Sequence, residues 1–322
     1  MFRPVVGAPT AAAPARRPAV AADRLRAAAM SAPNRLHPLR HALPLFLLAG
    51  FFLSTLDASA KWLLREHSLF LVIWARYAGQ MLVVTPFARA GGGRRFWRTG
   101  RLPLQLLRSS LLLGATFCFF GGLIYLPLAE ASAISFLAPV FVVLLSGPIL
   151  AEHPHRARWA SAIAGFLGVL VVLRPGSAVF HPAALLMIGM ALCNALYALL
   201  TRKLADEDPH TSLFYSALVG TVGLTLFLPF GFAGGWPPPR DAAVFLLLGL
   251  LAGLGHWCVI RAFARAPAAL LTPFSYLQMI WATVYGWLLF GQLPDLVSGL
   301  GMAIIVASGL LLAWFERRRR SP

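Results

Sequence analysis

Ten long apolar runs constrain what this chain can fold into more than any other feature. A helix needs about 20 predominantly apolar residues to cross a bilayer, and each run is close to that length. Because lipid offers backbone N–H and C=O groups no partners, every run is predicted to be helical. The runs are continuous and do not alternate with polar residues, which excludes a transmembrane β-barrel. They cover residues 43–64, 69–88, 104–125, 127–150, 158–173, 182–201, 212–231, 242–263, 267–290 and 294–314.

The composition fits a membrane protein rather than a soluble one. Of the 322 residues, 59% are hydrophobic and 12% are charged, whereas soluble domains carry about 25% charged residues. The net charge of +17 would suit a nucleic-acid-binding protein, but the basic residues fall between the apolar runs and form no single basic face. The lipid bilayer is therefore the expected partner, and nucleic acid is not.

The cysteines and the remaining motifs give no sign of catalysis. Cys118, Cys193 and Cys258 lie within apolar runs without the spacing of metal ligands, so they are interpreted as small buried side chains. No disulfide, metal or cofactor is expected. Because no catalytic triad, metalloprotease motif or phosphate-binding loop stands out, no catalytic residue is expected and the chain is not predicted to be an enzyme.

The distribution of Lys and Arg predicts an orientation in the membrane. With ten spans and both termini in the cytoplasm, 22 of the 28 basic residues fall on the cytoplasmic side and four on the outer side, as the positive-inside rule requires. Residues 1–42 are interpreted as a disordered basic cytoplasmic tail, with Met30 as an alternative start, and 315–322 as a second basic tail. The short loops favour a multi-pass protein of a bacterial inner membrane.

An internal repeat predicts how the spans are arranged. At an offset of 140, residues 276–295 resemble residues 136–155, and a helix rich in small residues follows each copy. Residues 43–173 and 182–314 are therefore predicted to be two copies of one five-helix unit. Since each unit has an odd number of spans, the two copies lie upside down relative to each other. Inverted repeats are typical of alternating-access transporters.

The segments that carry the repeat also carry a family resemblance. Residues 127–176, which include "RWASAIAGFLGVLVVLRPG", and residues 255–295 resemble the EamA-type drug/metabolite transporter superfamily. The first segment is similar to a branch with members that import S-adenosylmethionine or riboflavin, and other members export amino-acid-derived metabolites. The resemblance covers roughly residues 43–314 and implies two inverted five-helix repeats around a central path. Gln292 departs from the family, which usually has an acid at that position.

Charged residues within the apolar runs are the first candidates for a functional site, because burying a charge in lipid costs about 2.5 kcal/mol or more. Asp57 and Lys61 lie four residues apart on the first helix, and Arg76 and Gln80 four apart on the second. Asp57 and Arg76 are expected at one depth, about 10 Å from the outer side. They could form an outer gate or a substrate-charge site, or a structural ion pair between the two helices.

Two further titratable residues have alternative interpretations. Glu130 begins the fourth helix, where a carboxylate is favoured by the helix dipole, and its other role would be contact with the substrate or a coupling proton. His256 lies deep within the eighth helix. It is either a hydrogen-bonded core residue or a proton-coupling residue.

Polar and aromatic residues near the middle of the spans complete the candidate path. Pro139 interrupts the fourth helix and frees a backbone carbonyl. Aromatic and amide side chains suit a planar or amphipathic organic substrate better than a bare ion, although Trp and Tyr also form interfacial belts. The other midplane candidates are Asn194, Tyr276, Gln278 and Trp281.

These observations predict an all-α polytopic membrane protein that transports a small organic metabolite by alternating access, driven by a coupling proton or cation or by the gradient of the substrate itself. Two other classes stay open: an intramembrane lipid-modifying enzyme and a non-transporting scaffold. The direction of transport and the oligomeric state, a homodimer included, are not determined by the sequence.

Overall fold

The computed structural model describes residues 36–93, 96–151, 154–177, 180–204, 206–231, 237–263, 265–266 and 271–319. The predicted N-terminal tail up to residue 35, including Met30, lies outside the described residues, as does Glu152. The described residues form helices and no strand. They are α1 Leu36–Leu63, α2 Leu69–Gly92, α3 Leu102–Leu123, α4 Leu128–Ser135, α5 Ala138–Leu150, α6 Arg156–Leu173, α7 Ala184–Lys203, α8 Pro209–Gly231, α9 Pro239–Phe263, a 3-10 helix Thr272–Tyr276, α10 Leu277–Phe290 and α11 Leu296–Arg319.

The predicted ten-span architecture is confirmed. Within the described residues, nine segments are long and apolar enough to cross a membrane, and one of them, Leu128–Leu150, combines α4 and α5. The 3-10 helix and α10 form the one remaining crossing, which is the ninth in chain order. The chain is therefore an all-α multi-pass membrane protein.

The two halves of the chain repeat at a constant offset of 140 residues. Three helix ends correspond in this way, at residues 63 and 203, 123 and 263, and 150 and 290. Two helix starts do so as well, at residues 69 and 209 and at 156 and 296. The offset seen in the sequence of one helix pair therefore holds for all five.

The packing of the helices obeys the same exchange. When each helix is replaced by its equivalent 140 residues away, the contact between α1 and α9 becomes the contact between α7 and α3. The contact between α2 and α9 becomes the contact between α8 and α3. All four contacts are present. Two helix pairs become themselves, α2–α8 and α6–α11, and so does the contact between the fourth and ninth crossings, which α4 and α10 form. These contacts therefore surround a pseudo-twofold axis in the plane of the membrane, as inverted repeats require.

Small residues bring α6 and α11 together across this axis. A Cβ at Gly168 would lie 2.9 Å from the Gly301 carbonyl oxygen, and the Ser161 hydroxyl donates to the Ser308 carbonyl at 3.0 Å. Since 161 corresponds to 301 and 168 to 308, the two contacts are equivalent. Close approach through small residues is how membrane helices associate without a hydrophobic driving force.

The ends of the helices define two faces. The terminal face is where α1 begins and α11 ends, and the distal face is where α1 ends and α2 begins. On the distal face, His67 lies 2.8 Å from Asp241 at the start of α9. On the terminal face, Arg101 before α3 donates to the Lys203 carbonyl at the end of α7. These contacts agree with the alternating direction of the spans.

The fourth predicted helix differs from a continuous span because it is broken in the middle. The break falls at Phe136 and Leu137, and it corresponds to the junction of the 3-10 helix with α10 at Tyr276 and Leu277. Pro139, at the start of α5, has no N–H to return to the Ser135 carbonyl, which ends the regular ladder there. Both crossings are therefore interrupted at equivalent positions next to the axis.

Candidate functional site

A group of charged side chains occupies the interior between α1, α2, α3 and α9. Arg76 of α2 is 6% exposed, and its guanidinium lies close enough to Asp57 of α1 and His256 of α9 to act on both electrostatically. Its Nη1 donates to the Thr116 hydroxyl at 3.4 Å, and it lies over the ring of Tyr77, 4.6 Å from the centroid. The structure thus brings together three residues predicted from separate helices.

Asp57 and Arg76 do not form the direct ion pair considered from the sequence. Within the described residues, no carboxylate oxygen lies within 4.0 Å of the Arg76 guanidinium, and Asp57 is half-buried without a hydrogen-bond partner. Tyr77 donates to the Thr116 hydroxyl at 2.9 Å, since that hydroxyl already donates to a backbone carbonyl. Thr116 and Tyr77 thus fix the position of the Arg76 guanidinium. The Asp57 carboxylate has no hydrogen-bond partner among the described residues.

Gln80 lies one turn from Arg76 with its amide unpaired. The side chain is 0% exposed, and neither Oε1 nor Nε2 has a hydrogen-bond partner in the part of the chain described. The Arg76 Nε and the Ser109 hydroxyl of α3 are unpaired in the same way. Leaving a buried polar group unpaired costs about 1–3 kcal/mol, so such groups call for a functional explanation.

His256 presents one ring nitrogen to the interior. Its Nδ1 lies 2.8 Å from the Ala252 carbonyl. Because a carbonyl can only accept, Nδ1 carries the proton, and Nε2 of the neutral ring is an acceptor. No hydrogen bond to Nε2 is seen among the described residues, and the ring is half-buried. His256 corresponds to Thr116 at the offset of 140, so the two residues lie on opposite sides of the midplane.

An aromatic stack lies where the broken helices meet. Phe136 and Tyr276, which are equivalent in the two repeats, stack with centroids 4.8 Å apart and planes at 22°. Because equivalent residues touch at the pseudo-twofold axis, this stack lies on the axis between the two repeats. Gly309 of α11 makes room for it, since a Cβ there would overlap the Tyr276 hydroxyl.

The helix α10 contributes further aromatic and polar side chains against α1. The Tyr285 hydroxyl shares a hydrogen bond of 2.6 Å with Thr55. Trp281 contacts Phe51 edge to face, with centroids 5.2 Å apart. The half-buried Gln278 packs near Gly50, where a Cβ would lie 3.6 Å from its Cγ. These residues line the α1–α10 interface between the stack and the charged group.

Lys61 is placed as a helix cap rather than beside Asp57. Its Nζ donates to the carbonyls of Leu123 and Leu126 at 2.7 and 2.6 Å, at the C-terminal end of α3. A cation at a helix C-terminus pairs the last carbonyls and interacts favourably with the dipole. Lys61 therefore ties α1 to α3 at the distal face.

A second polar cluster closes the distal face around Glu130. Arg174 forms an ion pair with Asp295 and donates to the Ser298 hydroxyl at 3.1 Å, which in turn donates to Glu130 at 3.3 Å. The Arg174 guanidinium, helped by the Ser298 backbone N–H, lowers the pKa of Asp295 from 3.8 to about 2. The cluster joins α4, α6 and α11, so it links the two repeats.

Near the terminal face, Arg108 of α3 is enclosed by neutral acceptors. The side chain is 2% exposed and donates to Thr201, Tyr197 and Ser216 at 2.9, 3.1 and 2.9 Å. At the offset of 140, these three acceptors correspond to Lys61, Asp57 and Arg76. In the terminal half, Arg108 is therefore surrounded by the residues that are equivalent to charged side chains of the distal half. We call Arg108 with Tyr197, Thr201 and Ser216 the arginine cage.

Two predicted residues lie away from these groups. Pro139 is exposed at the start of α5, where it breaks the helix. Asn194 of α7 is half-buried, and no hydrogen bond of its side chain is seen in the described chain. Sequence reasoning missed Thr116, Tyr77 and the arginine cage. Hydroxyl side chains are ordinary within apolar runs, and Arg108 lies near the start of its run, close to the basic loop before it.

This arrangement, with inverted repeats, broken crossings beside the axis and buried charges between the repeats, defines a membrane transporter of small molecules. Comparison with known proteins gives the family. The model of the EamA-like transporter family matches residues 41–174 and 181–314. The chain belongs to the EamA-like transporter family, and this family places it among transporters rather than enzymes.

Individual relatives are transporters of organic metabolites. The chain is 31% identical to a riboflavin transporter of Vibrio cholerae over 88% of this chain and 96% of that protein. It is 28% identical to an S-adenosylmethionine uptake transporter of Rickettsia prowazekii over 86% of this chain and 93% of that protein. A solved crystal structure with 22% identity matches with a TM-score of 0.65 and covers 88% of this chain and 99% of its own, which supports the fold.

Proposed function

We propose that this transporter takes up a neutral, planar heteroaromatic metabolite of the riboflavin class by alternating access. The observation that carries this proposal is the stack of Phe136 on Tyr276 at the pseudo-twofold axis. Transporters with inverted repeats bind their substrates near the midplane at the repeat interface. An aromatic pair at that position offers a planar ring two faces to stack on.

The charges of the interior favour a neutral substrate over a cationic one. Arg76 and Arg108 are both buried, and both act electrostatically on His256, whereas Asp57 supplies one negative charge. A cation would therefore enter a region with more positive than negative groups. The similarity to a riboflavin transporter supports the same substrate class.

S-adenosylmethionine is the second candidate, because the Asp57 carboxylate has no hydrogen-bonded partner among the described residues and could pair with a sulfonium or ammonium group. The relative named as an S-adenosylmethionine uptake transporter supports this candidate. Growth assays distinguish between the two candidate substrates. Expression of the chain should rescue a bacterial strain that cannot make riboflavin at low external riboflavin, and rescue only of a strain that lacks S-adenosylmethionine synthesis would favour the second candidate.

The proposed path has a terminal half and a distal half, and each half has its own closure. The arginine cage closes the terminal half by joining α3, α7 and α8, and the cluster around Glu130 together with Lys61 closes the distal half. We propose that these closures open in turn, and that the stack separates when substrate passes. Asp57 and His256 are the proposed proton-binding groups that couple the cycle to a gradient.

The proposed location is the bacterial inner membrane, with the terminal face in the cytoplasm. The basic residues of the terminal side support this orientation. A reporter active only in the cytoplasm should be active when inserted within residues 89–103 and silent within 232–241. The reverse pattern would overturn the orientation.

A further inference from the structure

We propose that Gln80 is the residue that determines substrate specificity, by pairing with the imide edge of a planar heterocycle. An imide edge is a ring N–H flanked by carbonyl groups, as in the pyrimidine half of the riboflavin ring. This inference rests on the proposed function and adds which edge of the substrate is recognised and by which side chain.

The position of Gln80 is that of a substrate-binding residue. It lies in the middle of α2, which runs from Leu69 to Gly92. It also lies next to the axis, because α2 packs on its own equivalent, α8. One turn away, the ring of Tyr77 fills the space above Gly220 of α8, where a Cβ would overlap the ring. Gln80 therefore occupies the midplane, where inverted-repeat transporters bind their cargo.

The chemistry of the side chain points to a ligand. Gln80 is 0% exposed, and both its amide atoms are unpaired within the described residues. A molecule that enters the interior can satisfy such a group. A glutamine amide offers one donor and one acceptor side by side. An imide edge offers the complementary acceptor and donor, so the two groups form a pair of parallel hydrogen bonds.

The neighbours of Gln80 fit this assignment. Arg76, one turn away, has an unpaired Nε that can donate to a further carbonyl of the same ring. The amide is sealed in this conformation, so it meets substrate only when the helices part during the transport cycle. A binding group that is exposed in only part of the transport cycle selects between substrates at the step in which it becomes exposed.

The test compares binding of riboflavin and of N3-methylriboflavin, in which a methyl group replaces the imide hydrogen, to the purified full-length protein. The wild type should prefer riboflavin by about tenfold, since the methyl group removes one hydrogen-bond donor of the imide edge. Gln80→Met, which keeps the length and removes both polar atoms, should lower riboflavin affinity about tenfold and abolish the preference. Gln292→Met is the matched control, because Gln292 also has an unpaired buried oxygen but lies outside the path.

The outcomes separate this inference from the function on which it rests. Equal affinity of the wild type for both compounds would overturn the role of the imide edge, whether or not the variant folds. A folded Gln80→Met protein that keeps the preference would overturn the assignment to Gln80, and would indicate that water or structural packing accounts for the amide. Failure of the wild type to bind either compound would overturn the proposed function, and this inference with it.

Discussion

Phe136 and Tyr276 lie 140 positions apart and stack on each other with centroids 4.8 Å apart. The contact joins equivalent points of two inverted repeats, and each residue marks the place where a membrane crossing is broken. The contact therefore lies on the pseudo-twofold axis, where we propose that the substrate path passes.

The first prediction concerns this stack. Phe136→Ala and Tyr276→Ala should each weaken substrate binding about 3- to 10-fold, because an aromatic pair contributes about 0.5–1.5 kcal/mol beyond its burial. Phe136→Tyr and Tyr276→Phe keep the rings and should bind normally. Binding is measured on purified protein by ligand titration. Alanine variants that fold and bind like the wild type would remove the stack from the path.

The second prediction concerns Asp57 and Arg76. Asp57→Asn should reduce transport at least about tenfold with little effect on expression, because Asp57 makes no hydrogen bond that the fold would lose. Arg76→Gln should lower both expression and transport, since Thr116 and Tyr77 would lose their cation. Uptake per unit of membrane protein is the measurement.

The double variant Asp57→Asn/Arg76→Gln decides between a structural pair and a working site. Without direct contact between the two side chains, transport should stay absent in the double variant. Recovery of transport would indicate that the two residues act as a structural ion pair after all. The corresponding control is Glu66→Gln, on the exposed distal loop, which should transport normally.

The third prediction concerns Lys61. Lys61→Met should lower the free energy of unfolding by about 1.5–3 kcal/mol, because the carbonyls of Leu123 and Leu126 lose bonds to a charged donor. Arg65→Met, four residues on and exposed, is the control. Thermal unfolding in detergent measures both. Equal melting temperatures would show that the cap is not needed for stability.

The fourth prediction concerns pH. The pKa of Asp295 is lowered from 3.8 to about 2 by Arg174, so the ion pair stabilises the distal closure above about pH 4 and is lost as the pH falls toward 2. Between pH 5 and 8 Asp295 therefore stays ionised. Asp295→Asn should change the rate of uptake but not the shape of its pH profile in that range, whereas Asp57→Asn should flatten it. A profile reshaped by Asp295→Asn would contradict this assignment.

Much of the fold could be predicted from the sequence because the bilayer restricts the alternatives. A long apolar run can cross a bilayer only as a helix. The similarity between residues 136–155 and 276–295 predicted the offset of 140 residues, which holds for all five helix pairs. Pro139 predicted an interruption of the fourth helix, but not that one helix ends at Ser135 and a separate helix begins at Ala138. A proline within an apolar run is compatible with either a kink or a new helix start.

The site was less predictable, because its contacts depend on the rotation of each helix. Asp57 and Arg76 were placed in one region from their depth alone, but the rotation of α2 turns the guanidinium toward Thr116 and Tyr77. Likewise Lys61 shares a helix face with Asp57, yet its flexible side chain reaches the end of α3. The partners of Arg108 come from α7 and α8, 89 to 108 residues away, and only the folded structure brings them together.

The central claim is tested most directly by flux into proteoliposomes that contain only this protein. Vesicles loaded with unlabelled riboflavin should accumulate labelled riboflavin from outside by counterflow, and Asp57→Asn vesicles should not. Labelled S-adenosylmethionine should not accumulate under the same conditions. Wild-type vesicles that accumulate no more riboflavin than protein-free vesicles would contradict the account.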